Sequence, residues 1–76
     1  MLYKLFKNEE NRILIDMSYD KQDIVDVLEE RINKETDIDY SVIKNQDGKD
    51  MEISRIISVE GFIKFKHIGR TLTLKK

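Results

Sequence analysis

Residues 1–76 are predicted to form a single small α+β domain, with one amphipathic helix packed on a mostly antiparallel sheet in the order ββαβββ(β). Three observations lead there. Short runs of strand-favouring residues flank one segment whose apolar residues recur with helical period. Turn signals such as Asp47-Gly48 and Gly69-Arg70 separate the later runs. A chain of 76 residues has interior for one core only, and its 24 Ile, Leu, Val and Phe residues supply enough apolar surface to build it.

The first two runs, residues 2–7 and 12–17, are separated by Asn8-Glu9-Glu10-Asn11 and read as a hairpin. In the second run strict alternation places Ile13, Ile15 and Met17 on one face, the one expected to point inward. A helix follows over residues 21–34, capped by Ser18 or Asp20, with Asp23 near the positive end of its dipole. Its wheel gathers Ile24, Val27, Leu28 and Ile32 in one arc, Val25 at the margin, and Asp23, Asp26, Glu29 and Glu30 in the opposite arc.

Residues 40–44 read as a strand and Asn45-Gln46-Asp47-Gly48 as a turn into a return strand. That return strand alternates Met51, Ile53, Ile57 and Val59 against Glu52, Ser54, Ile56 and Ser58. Arg55 then intrudes at a core position, which a bulge, an edge position or an ion pair near the surface would explain. The last hairpin turns at Gly69-Arg70 as type II′, so that Phe65 faces Leu74, His67 faces Leu72, Lys66 faces Thr73 and Lys64 faces Lys75. One face of that hairpin is apolar and the other basic. The helix arc is expected to cover Ile63, Phe65, Leu72 and Leu74, bringing Leu28 against Phe65.

Strand–strand–helix–strand order in a chain of this length is similar to the ubiquitin-like β-grasp, here with an extra C-terminal hairpin. The resemblance lies in layout alone. Ubiquitin-type modifiers end in Gly-Gly, whereas this chain ends Leu74-Lys75-Lys76, so the resemblance implies no conjugation chemistry.

The chemistry the residues support is sparse. No cysteine is present, which excludes disulfides and thiolate chemistry and points to a reducing compartment. No apolar run approaches the length of a membrane span, and Met1-Leu2-Tyr3-Lys4-Leu5-Phe6-Lys7 lacks the pattern of a secretory signal, so a cytoplasmic protein with no membrane contact is expected. His67, the only imidazole, falls inside a strand run with no orienting partner nearby in sequence, and it reads as structural. The helix carboxylates read as solvated surface rather than a catalytic pair. Asp37 with Asp39, and Asp47 with Asp50, do not match a calcium loop, and the three isolated glycines build no phosphate-binding loop. No enzyme activity, metal or cofactor is expected.

Charge distribution is the remaining feature. The net charge is −1, yet residues 9–39 carry eleven acids against four bases and residues 61–76 carry five bases and no acid. The expected function is therefore a small non-enzymatic protein-binding module, an adaptor, regulator or inhibitor, acting through Asp23, Asp26, Glu29 and Glu30. The alternative is nucleic-acid binding through Lys64, Lys66, Arg70 and Lys75 on the C-terminal hairpin, although no aromatic is expected on that basic face. A monomer is expected, because lysines at strand edges deter pairing.

Overall fold

In the computed structural model, the backbone is described for residues 1–59, 62–67 and 70–75, and the side chains for residues 1–58. The elements are β1 (Leu2–Asn8), β2 (Arg12–Ser18), α1 (Lys21–Lys34), β3 (Asp39–Gln46), β4 (Lys49–Val59), β5 (Phe62–His67) and β6 (Arg70–Lys75). The strands form one sheet in the order β2-β1-β3-β4-β5-β6, and every neighbouring pair is antiparallel. The α+β class therefore holds, with four strands after the helix. The β-grasp layout does not: the helical crossover carries the chain from β2 to the far side of β1, and the remaining strands then add one by one without a parallel pair.

Asp20 caps α1, its extended backbone turning into the helix while its carboxylate accepts from the Gln22 amide at 3.0 Å. Ser18 braces this cap instead of forming it, accepting from the Asp20 amide and donating to Asp23. The helix stops where Glu35 becomes extended, its amide still reaching the Arg31 carbonyl at 2.9 Å. Ile24 and Leu28 are buried with Leu5, Ile38, Tyr40, Val42 and Ile56, and Tyr3, Ile15, Val27, Ile32 and Ile53 pack around them. Among the described residues, no buried side-chain nitrogen or oxygen lacks a hydrogen-bond partner.

Two bulges overturn the faces read from alternation. Between Leu5 and Phe6 the β1–β2 register shifts, leaving Ile15 as the extra residue. Met17 then pairs with Lys4 on the face away from the helix and is 55% exposed, so only Ile15 of the predicted inward trio packs on the core. Ile13 keeps the helix-side register but is 42% exposed on the edge strand. Between Val42 and Ile43 the β3–β4 register shifts in the same way, skipping Ile53. Beyond that point Ser54 and Ile56 become the buried helix-side residues, while Arg55 lies on the opposite face. Arg55 is thus no core intruder: a bulge and a surface ion pair, two of the three expected explanations, together account for it.

The β3–β4 turn falls at Asp47-Gly48 but is tighter than expected, Asn45 and Gln46 continuing β3, with Asp47 and Gly48 taking φ of 53° and 76° between the paired residues Gln46 and Lys49. Positive φ at both central positions is the turn that matches strand twist. A Cβ at Gly48 would meet nothing within 4 Å, so any cost of substitution is a backbone cost. Gly48→Ala is expected to lose about 1–2 kcal/mol in chemical denaturation, because an L side chain resists this conformation. An unchanged midpoint would mean that the turn relaxes into another type.

In the last hairpin Phe65 pairs with Leu72, Ile63 with Leu74, Lys64 with Thr73, Lys66 with Thr71 and His67 with Arg70. The expected register was two residues off, because it placed Arg70 in the turn, whereas Arg70 opens β6. Gly69 and its turn type lie outside the described residues.

Candidate interaction surfaces

Helix α1 presents its four carboxylates as the wheel predicts. Asp23, Asp26, Glu29 and Glu30 are all exposed, while Ile24 and Leu28 on the other arc are buried. Over these residues the row extends about 10 Å along the axis, at 1.5 Å per residue. Asp23 accepts from the Ser18 hydroxyl at 2.7 Å and Asp26 from the Gln22 amide at 2.9 Å, both neutral donors. Glu30 alone is in an ion pair, with Lys34 at 2.8 Å, and that hydrogen bond and charge hold its pKa below the usual carboxylate range. Three of the four therefore keep an uncompensated charge among the described residues.

On the opposite side of the sheet lies a polar network that the sequence did not reveal. Arg55 clamps Asp39 with two hydrogen bonds, at 3.1 and 2.9 Å. Asn8 donates to Asp39 and to Ser41, and Ser41, wholly buried, donates to Glu52. Arg12 reaches Glu52 at 4.0 Å and Asn8 at 3.2 Å, with its guanidinium 5.1 Å from the centre of the Phe6 ring. Lys4 and Asn45 share Asp50. Burial works against the Asp39 carboxylate, but the hydrogen bonds from Arg55 and Asn8 outweigh it and hold its pKa low. The members are scattered over four strands and meet only through register and bulges, so no spacing in the sequence announces them.

The basic residues of the C-terminal hairpin are placed by backbone register, their side chains lying outside the described residues. Lys66 is the cross-strand partner of both Arg55 and Thr71, Lys64 of both Ile57 and Thr73, and Lys75 of Phe62. Strand alternation puts Lys64, Lys66 and Lys75 on the face that carries Arg55. Arg70 pairs with His67, the register partner of the helix-side Ser54, and so falls on the other face. Arg70 therefore does not belong with the three lysines, contrary to expectation. Phe62 does, through the Phe62-x-Lys64-x-Lys66 alternation, a signal present in the sequence.

A seam of about 220 Å³ between α1 and β4 is lined by Ile24, Val25, Leu28, Val42 and Ile56, with Lys21 and Glu29 at its rim. Its floor is closed, Ile24 and Ile56 being fully buried. Phe65 is the register partner of Ile56 on the next strand; its expected contact with Leu28 falls outside the described side chains. Among the described residues, no three His, Cys, Asp or Glu side chains come together as a metal site, and no helix is long and apolar enough to cross a membrane. Comparison with protein-family models, with curated proteins and with solved structures gives no match.

Proposed function

We propose that the protein is a non-enzymatic binding module that offers the outer face of α1 to a basic surface on another protein, in the manner of an adaptor, regulator or inhibitor. One observation carries this reading: Asp23, Asp26, Glu29 and Glu30 are exposed in one row, and only Glu30 is neutralised by an ion pair among the described residues. Like charges at i,i+3 and i,i+4 weaken a helix, so the row forgoes stability that alternating charges would supply. Complementary charge on a partner recovers that loss and accelerates encounter. The lack of cysteine supports a reducing, cytoplasmic setting.

The test is a pull-down from the source cell with the parent protein and with Asp23, Asp26, Glu29 and Glu30 all changed to Lys. A protein captured by the parent, lost with the reversed helix and eluted by salt is the expected outcome. The reversed variant must retain its circular dichroism spectrum, because lysine near the helix start opposes the dipole. Equal capture by the folded, reversed variant removes this face from function.

A further inference from the structure

We infer that the sheet face away from α1 binds single-stranded nucleic acid at its β4–β5–β6 end, with Lys64, Lys66 and Lys75 placed for phosphates and Phe62 for a base. The inference concerns the opposite side of the molecule from the acidic helix row and does not depend on it.

Register supplies the first argument. Lys66 is placed directly across from Arg55, a cation rather than an acid, and the nearby Asp39 carboxylate is already committed to Arg55. Lys64 lies two positions from Lys66, and Thr71 and Thr73 occupy the partner positions on β6. Residues 61–76 contain no acid to offset this cluster. Across the rest of the same face, acids are already engaged: Asp39 with Arg55 and Asn8, Glu52 with Ser41 and Arg12, Asp50 with Lys4 and Asn45. Positive charge therefore accumulates at the β5–β6 end of the face, where an external anion relieves it.

Composition identifies that anion. A purely acidic protein surface would need the cations alone, and the row on α1 of a second copy could supply it. This face also carries an aromatic position beside the lysines, Phe62, the cross-strand partner of Lys75. Cations that track a phosphate backbone, with flat rings that accept bases of any identity, are the two components of sequence-tolerant single-strand binding. The hydroxyls of Thr71 and Thr73 add neutral donors suited to phosphate oxygens. Duplex DNA keeps its bases stacked and unavailable to Phe62, so single strands are favoured over duplex.

The test is fluorescence anisotropy with a labelled oligo(dT) of about 12 nucleotides and a duplex of equal length, within the site sizes such surfaces cover. Saturable binding of the single strand is expected, with log K falling against log salt at a slope of about −2 for three phosphate contacts. Lys64→Glu with Lys66→Glu should weaken binding by more than about tenfold, since each phosphate contact is worth roughly fivefold near 0.1 M salt. Phe62→Leu should weaken the single strand while leaving any residual duplex binding unchanged. Arg70→Glu, on the alternate face, should change affinity far less than the lysine pair. Absence of saturable binding at low salt overturns the inference, as does an Arg70→Glu loss equal to that of the lysine pair. A salt-sensitive rise in sedimenting mass, abolished by the lysine reversals and unaffected by oligonucleotide, would assign the face to a second copy instead.

Discussion

Leu28→Ala is expected to lower the free energy of unfolding by about 2–5 kcal/mol, enough to leave a domain of this size largely unfolded at moderate temperature. Leu28 is 4% exposed and lies in the cluster that joins α1 to Leu5, Tyr40, Val42 and Ile56 on three strands. It also borders the seam beside β4, so truncation enlarges an existing gap rather than opening a new one that neighbours can fill. Asp26→Ala makes the contrast. Asp26 is exposed and accepts one hydrogen bond from a neutral side chain, and its removal relieves like-charge neighbours, so its melt should fall within about 0.5 kcal/mol of the parent. Phe65→Ala extends the experiment across the β4–β5 pairing: a loss comparable to that of Leu28→Ala places the Phe65 ring in the same core. A Leu28→Ala variant that melts like the parent would contradict the packing of α1 on the sheet.

The helix and its polarity were legible because 3.6-residue periodicity survives local detail: Ile24 and Leu28 went inward and Asp23, Asp26, Glu29 and Glu30 outward as the wheel required. The Asp47-Gly48 turn was legible because two successive positive φ angles select those residues. Strand faces were much less so. Period-2 reasoning assumes uninterrupted pairing, and one extra residue inverts everything beyond it. Bulges at Ile15 and Ile53 therefore misplaced Met17 and Ile56 and made Arg55 look anomalous, although each local run was correctly read as a strand. Neither bulge carries a glycine to mark it. The two-residue error in the last hairpin had a different origin, a turn placed one position too late, and it grouped Arg70 with the lysines although Arg70 pairs with His67 on the other face.

The second large effect is expected at Glu35, which locks the end of α1 to the sheet. Its carboxylate accepts from the Tyr40 hydroxyl at 2.5 Å and from Lys7 and Arg31, each at 3.4 Å, while Lys7 lies 5.9 Å from the centre of the Tyr40 ring. Tyr40 is fully buried, and deleting Glu35 removes the acceptor of its hydroxyl and leaves Arg31 as its remaining polar neighbour. Glu35→Ala should therefore cost about 1–3 kcal/mol, and Tyr40→Phe less, because it removes the donor and leaves Glu35 two cationic partners. Combined, the two changes should cost less than their sum, the shared hydrogen bond being lost only once. The pH dependence has a definite sign. Burial pushes the Glu35 pKa up, but hydrogen bonds from Tyr40 and Lys7 and the nearby Arg31 charge outweigh it, so the folded value lies below the unfolded one. Its stabilisation is then present above the unfolded pKa, about 4.3, and is lost as pH falls through the folded value. Tyr40 behaves oppositely: burial and the Glu35 carboxylate raise its pKa, so its contribution is intact below the unfolded value near 10 and disappears in stronger alkali. Urea titrations from neutral to about pH 3 should show Glu35→Gln losing less stability than the parent. A residual acid dependence should remain from Asp39, whose pairing with Arg55 and Asn8 titrates in the same direction. If the parent and Glu35→Gln lose stability in parallel, the carboxylate is not ionised and paired in the fold, and the end of α1 is held to the sheet by apolar contacts instead.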